Sequence, residues 1–130
     1  MIKILASFGS LSVDDLSKAK DFYTNTLGLK VDEDDMGLTI HLSGGGTVFV
    51  YQKDNHQPAS YTALNFVVDD IDKAVEDLKS GGVIFEHYEG MTGEDNIARG
   101  ISNNQGPDIA WFKDPAGNIL SVLVDNRTQS

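Results

Sequence analysis

The sequence predicts an α+β fold built from two βαβββ units in tandem, and three observations predict it. Val13-Asp14-Asp15-Leu16-Ser17-Lys18-Ala19 returns as Val68-Asp69-Asp70-Ile71-Asp72-Lys73-Ala74, at a constant offset of 55 residues with five of seven positions identical. Self-similarity at a fixed spacing marks a repeated supersecondary unit. Each copy follows a stretch of strand-like alternation and opens a stretch of helical period. Each is then followed by apolar runs parted by glycine-rich turns, the pattern of hairpins. A chain of 130 residues has room for one domain, or for two very small modules sharing a core. The repeat reads as one domain of two similar units, the first about 4–54 and the second about 60–125.

In the first unit Phe8 to Val13 alternates as a strand. Asp14 then offers an N-cap, with further carboxylate at the positive end of the helix. Leu16, Ala19, Phe22, Tyr23 and Leu27 recur on one helical face, and Gly28 closes it. A short strand from Leu29 precedes a hairpin of Leu38–Leu42 and Thr47–Gln52 around Ser43-Gly44-Gly45-Gly46. The second unit repeats the order. A strand over Tyr61–Val68 leads to Asp69 as cap, then to Ile71, Ala74, Val75 and Leu78 before Gly81-Gly82. A short strand from Val83 follows, and a hairpin of Ile109–Lys113 and Asn118–Val124 turns at Asp114-Pro115-Ala116-Gly117. Between Glu86 and Asp108 lies a segment rich in Gly, Asn and charge with no clean period. A loop of that length is a functional lid or a mobile insertion, and Tyr88, Met91, Arg99, Asn103, Asn104 and Gln105 are its lid candidates. The polar tail after Asp125 is expected to fray.

Composition excludes several functions. Twenty acidic against ten basic side chains give a net charge of −10, and the ten cations are scattered singly. Nucleic acid and anionic membrane surfaces both require clustered Lys and Arg, so neither is an expected partner. With no cysteine there is no disulfide framework, thiol nucleophile or thiolate metal site. The longest apolar stretches, such as Ile119–Val124, are too short to span a bilayer, and Met1–Leu5 carries no apolar run of signal-peptide length. A cytoplasmic location is the expectation. The acidic surplus is compatible with a cationic ligand, although ordinary solubility and helix capping account for much of it.

Three blocks in order carry a family resemblance. They are Val13-Asp14-Asp15-Leu16 with Phe22-Tyr23 and Leu27-Gly28-Leu29, then Val68-Asp69-Asp70-Ile71 with Gly81-Gly82-Val83, then Phe112-Lys113-Asp114-Pro115-Ala116-Gly117-Asn118. From about Leu5 to about Val124 the chain resembles the vicinal oxygen chelate superfamily, which holds glyoxalase I, extradiol dioxygenases, fosfomycin-resistance enzymes and bleomycin-resistance proteins. The resemblance implies an open, curled mixed β-sheet barrel with flanking helices, a ligand cleft, and a homodimer.

It also implies where a divalent metal would be held: one His, Gln or Glu from each of four cleft-facing strand positions. Those positions here are Phe8, Ala63, Ser121 and, in the first hairpin, Val50, with a slip of one or two residues open for that strand. Phe and Ala carry no donor atom, and divalent cations require carboxylate or imidazole. His41, His56 and His87 lie in different elements with no paired spacing. No metal and no cofactor is therefore expected.

What remains is a cleft of apolar and small polar groups. Alternation places Phe8, Ser10 and Ser12 on one face with Leu11 and Val13 toward the helix, and sets Ala63, Asn65 and Val67 opposite Leu64, Phe66 and Val68. If Leu42 pairs with Thr47, then His41 opposes Val48 and shares the cleft face. An imidazole, with its ordinary pKa near neutrality, is the one acid-base candidate, and a strand histidine bonded to a neighbour is the plainer reading. Trp111 offers an aromatic wall or core filling, and Asn65 needs a partner, a water or a ligand. The expected ligand set is Phe8, Ser10, His41, Val50, Ala63, Asn65, Trp111 and Ser121. Gly44-Gly45-Gly46 lacks the spacing of a phosphate loop, and Phe8-Gly9-Ser10-Leu11-Ser12 is no nucleophile elbow. The reading that follows is a metal-independent protein that binds a small, aromatic and potentially cationic molecule in a dimer cleft. The alternatives are a metal-free isomerase or lyase using His41, and a divalent-metal lyase or dioxygenase with displaced ligands.

Overall fold

The structure is a computed structural model, and it describes residues 1–125. The tail after Asp125, expected to fray, lies outside the described residues, as does the side chain of Asn103. The chain divides into two compact units, Met1–Pro58 and Ala59–Ser130.

The first unit runs β1 (Gly9–Val13), α1 (Leu16–Asp21), a π-helical turn (Phe22–Thr26), β2 (Lys30–Asp34), β3 (Gly37–His41) and β4 (Thr47–Gln52). Its sheet has the order β1-β4-β3-β2, with β1 parallel to β4 and the other pairs antiparallel. A parallel pair cannot be joined by a tight turn, so the chain leaves β1 through α1 and returns to β4 by the β2–β3 meander. The helix starts one residue later than expected. Asp14 is still in the bend after β1, and Asp15 takes the extended cap conformation, its Oδ1 accepting from the Lys18 N–H at 3.1 Å. After Asp21 the helix widens, with the Leu27 N–H reaching back five residues to the Phe22 carbonyl at 3.0 Å. Thr24, Asn25 and Thr26 are poor α-helix formers, so the wider turn gives up little, and Tyr23 within it is fully buried. Val13, Ala19, Tyr23, Leu38, Ile40 and Val50 are almost wholly inaccessible, where α1 packs on β3 and β4. A Cβ at Gly37 would collide with the Val50 carbonyl oxygen and press on the Phe49 ring, so only glycine lets the chain enter β3 there.

The second unit runs β5 (Thr62–Val67), α2 (Ile71–Ser80), β6 (Ala98–Arg99), a 3₁₀ turn (Ile101–Asn103), β7 (Asp108–Lys113) and β8 (Ile119–Val124). Its sheet repeats the connectivity, β5-β8-β7-β6, with β5 parallel to β8. The cap again falls one residue after the expected one. Asp70, with φ −144° and ψ 107°, accepts from Lys73 N–H at 3.1 Å, matching Asp15 at φ −141° and ψ 105°. The strand expected from Val83 does not form as a strand. Val83 and Phe85 are buried, but among the described residues the pairing with β7 is limited to an isolated bridge of Phe85 with Phe112 and the Glu86 N–H donating to the Trp111 carbonyl at 2.8 Å. Ala98–Arg99 from the long segment pairs with the first residues of β7. The turn between β7 and β8 is closed by Asp114, whose Oδ1 accepts from the Ala116 and Asn118 N–H groups while Oδ2 accepts from Asn118 Nδ2 at 2.9 Å. Buried at this position, Asp114 is satisfied locally, which explains the Asp-Pro-x-Gly-Asn sequence as a turn device. Ile71 and Val75 of α2 form the core of this unit with Ala110, Phe112, Leu120 and Val122 of β7 and β8.

Among the described residues no helix is long and apolar enough to cross a membrane.

Candidate functional site

Each sheet has one face covered by its helix and one face free of it, and strand register decides which side chains lie on the second. In the first unit Ser10 pairs with Phe49, Phe49 with Thr39, and Thr39 with Asp32. The same face carries His41 beside Thr47, and Ser12 beside Tyr51. Ser10 and His41 are thus brought to the face expected for them. Phe8 lies just before β1 and is exposed.

Val50 is corrected. It is fully buried between Leu11 and Leu38 in the layer under α1. The expected pairing of Leu42 with Thr47 is off by one, because the turn closes with the Leu42 N–H donating to the Gly46 carbonyl at 2.9 Å. Leu42 then opposes Gly46, His41 opposes Thr47, and β4 shifts by one residue. A one-residue slip exchanges the two faces of a strand. Phe49 and Tyr51, stacked at 6.0 Å with an interplanar angle of 17°, therefore take the place on the free face that Val50 was expected to hold.

His41 Nε2 lies 2.8 Å from Asp32 Oδ2, so its ring is bonded to the neighbouring strand. In the acidic run Asp32-Glu33-Asp34-Asp35 the first three carboxylates have named partners. Asp32 holds His41, Glu33 pairs with Lys20 of α1 at 2.8 Å, and Asp34 accepts from the Met36 and Gly37 N–H groups in the β2–β3 turn. Sequence reasoning missed His56, whose Nδ1 sits 2.6 Å from the Ser12 hydroxyl. It belongs to no strand or helix, so no periodic pattern signals the contact.

In the second unit Asn65, Ser121 and Trp111 stand side by side across three strands. The Ser121 hydroxyl donates to Asn65 Oδ1 at 2.5 Å, and Ser121 itself is fully buried. Trp111 Nε1–H donates to Thr62 Oγ1 at 3.0 Å, and the Tyr88 ring meets the indole edge-on at 5.3 Å. Ala63 falls in the register irregularity between Thr62 and Leu64 and has no paired partner, so alternation does not set its direction as expected. Thr62 and Tyr88 extend this group beyond the predicted set. Tyr88 was legible only as a lid candidate, because nothing local ties it to Trp111.

Contacts that hold the segment after Glu86 include Tyr88 on Trp111, Ala98–Arg99 on β7, and Arg99 on α2. Arg99 bridges Asp72 at 2.6 Å and Asp95 at 2.8 Å. Both carboxyls are held below their ordinary pKa by the Arg99 hydrogen bonds, and the guanidinium is pushed above its own. A groove of about 610 Å³ opens here, lined by Met91, Gly93, Glu94, Asp95, Ile97 and Arg99. It contains none of the expected ligand-binding residues, and its one cation is already engaged by two carboxylates.

Metal ligation does not fit these residues. By the repeat, Asn65 pairing with Ser121 corresponds to Ser10 pairing with Phe49, so the four implied ligand positions hold Phe8, Phe49, Ala63 and Ser121. Three of the four have no donor atom. Among the described residues no three His, Asp or Glu side chains converge.

The family model described as Glyoxalase/Bleomycin resistance protein/Dioxygenase superfamily matches residues 4–122. Among solved structures, a member of that superfamily from Sphaerobacter thermophilus DSM 20745 is 27% identical with a TM-score of 0.65, covering 93% of this chain and 98% of its own. TnmS3, an antibiotic binding protein from Streptomyces sp. CB03234, is 22% identical with a TM-score of 0.68, over 95% of this chain and all of its own (100%). The fosfomycin resistance protein FosX from Listeria monocytogenes is 19% identical with a TM-score of 0.69, over 99% and 98%. No curated protein matches the sequence. With the family model spanning nearly the whole chain, and both units carrying the strand-helix-strand order of the fold, the chain belongs to the glyoxalase/bleomycin resistance protein/dioxygenase superfamily.

Proposed function

We propose that this protein binds a small aromatic molecule without a metal, in a cleft of a cytoplasmic homodimer, and that neither nucleic acid nor a membrane is its partner. One observation carries the reading: the positions where the family places metal ligands hold Phe8, Phe49, Ala63 and Ser121, which offer a single hydroxyl among them. Polarising a substrate oxygen through a metal, as glyoxalase or dioxygenase chemistry requires, has no ligand set here. The free sheet faces instead present aromatic rings with a few polar groups, the composition small-molecule sites use: Phe49 and Tyr51 on one, Trp111 with Asn65 on the other. The likeness to an antibiotic binding protein supports the reading in kind. Calorimetric titration with bleomycin- and mitomycin-like compounds tests it, alongside metal analysis of the purified protein. Saturable binding without stoichiometric metal is expected. A tightly bound equivalent of metal would overturn it.

A second reading has its own observation. Asp32 Oδ2 at 2.8 Å orients the His41 ring on the free face of its sheet, an arrangement suited to proton transfer in a metal-free isomerase or lyase. Here turnover of an identified substrate should fall at least about a hundredfold in His41→Gln. Unchanged turnover would leave His41 as a strand residue bonded to its neighbour.

A further inference from the structure

The Asn65–Ser121 pair has a direction. Ser121 is fully buried, and its hydroxyl proton has one acceptor among the described residues, the Asn65 side chain. The 2.5 Å separation is that of an O–H···O bond, shorter than N–H···O bonds run. Turning the amide over would also leave a buried hydroxyl proton facing an NH₂ group, at the cost of an unmade buried hydrogen bond. Oδ1 therefore points to Ser121. The Asn65 Nδ2, on an exposed residue, presents its two N–H donors outward and has no hydrogen bond among the described residues.

Beside it, two strands over, stands Trp111. Its only polar atom is already used, since Nε1–H donates to Thr62 Oγ1 at 3.0 Å, and Tyr88 packs edge-on against the ring. The indole thus offers apolar surface of fixed orientation and no donor. The Asn65 amide supplies two donors to this patch beside the Thr62 hydroxyl, while the Asn65 oxygen is taken up by Ser121 and the Thr62 oxygen accepts from Trp111.

We infer that this face selects a flat aromatic molecule bearing a hydrogen-bond acceptor, a carbonyl or equivalent oxygen, which the amide of Asn65 reads while the rings pack on Trp111. This rests on the small-molecule binding role proposed above. Ser121 acts through Asn65 and is a positioning residue, holding the amide donor-outward without touching the ligand.

A pair of probes of one shape separates the two claims. 9-Fluorenone carries a ring carbonyl and fluorene does not. Equilibrium dialysis of the full chain should show fluorenone bound about tenfold more tightly than fluorene, the worth of one net hydrogen bond. The Asn65 side-chain amide protons, assigned by their loss in Asn65→Ala, should shift downfield with fluorenone alone. In Asn65→Asp, an exposed substitution that removes the donors, the preference should collapse to near one. Ser121→Ala should reduce it, because the amide is then free to turn. Equal binding of the two probes to the wild-type chain overturns the inference and leaves the binding role standing. Failure of both to bind overturns the two together.

Discussion

At His87 both ring nitrogens are engaged. Nδ1 lies 2.9 Å from Asn96 Oδ1 and Nε2 lies 3.1 Å from Glu89 Oε1. Both partners are acceptors, and only the protonated ring can donate to both at once. The Asn96 hydrogen bond first, and the Glu89 contact second, raise the His87 pKa above its ordinary 6.5. The sign follows from linkage: a pKa raised on folding stabilises fully below the unfolded value and is lost as pH rises through the folded one. Backbone amide exchange across 87–96, corrected for the intrinsic rate, should therefore lose protection as pH rises through the titration of His87. The same profile should be flat in His87→Gln. On the acid side Asp72 and Asp95, both lowered by Arg99, work in the opposite sense. Their contribution is present above the ordinary carboxylate pKa and disappears as pH falls through their lowered values. Arg99→Gln should speed exchange at Ala98–Arg99 and remove that acid dependence. Neither device was legible in the sequence. Asp95 and Arg99 are only four positions apart but lie in a segment with no regular period, and Asp72 is 27 positions from Arg99, a span that no local pattern reports.

Helix starts show how finely local sequence specifies an element. The Val-Asp-Asp repeat announced both helices, yet two adjacent aspartates left the cap ambiguous by one residue. The choice is made by the backbone: the strand runs on to Val13, Asp14 occupies the bend, and the side chain of Asp15 is the one placed to receive the Lys18 N–H. Asp70 does the same for Lys73. Asp15→Ala and Asp70→Ala should each cost about 1 kcal/mol in urea unfolding. Asp14→Ala and Asp69→Ala should stay within about 0.5 kcal/mol, the range of ordinary surface substitutions. Equal losses at both positions of a pair would return the cap to the first aspartate. Strand register behaves likewise. A loop of Ser43, Gly44, Gly45 and Gly46 is permissive enough to close in more than one way, and the closure found makes Leu42 face Gly46. That single bond moved Val50 into the core and Phe49 to the open face. The short strand expected from Val83 is reduced to a bridge at Phe85, and the β7 edge is shared, with Ala98–Arg99 pairing at Asp108 and Ile109 and the 85–86 segment at Trp111 and Phe112.

For the whole molecule, the net charge of −10 keeps its meaning as an argument about partners, while part of it is now placed in named contacts such as Glu33 with Lys20 and Asp72 with Arg99. Ile2, Leu5, Phe8, Tyr61 and Ile84 are exposed large apolar side chains in a single chain. The proposed homodimer would cover part of such surface. Sedimentation equilibrium at micromolar concentration should return twice the 14.1 kDa chain mass, and one chain mass throughout would remove the dimer from the proposal. A true ligand at a hundred times its Kd should add about 2.7 kcal/mol to global stability, read as a rise in Tm. By itself the sequence determined the tandem βαβββ order, the two helices, the apolar layers beneath them and the absence of donors at Phe8 and Ala63. These depend on period, repeat and residue chemistry, which are written locally along the chain. Tertiary structure alone decided which hairpin residues face outward, which aspartate holds His41, and which way the Asn65 amide points. Those depend on register and on partners such as Ser121, 56 residues away, and contacts of that span are set when strands pair.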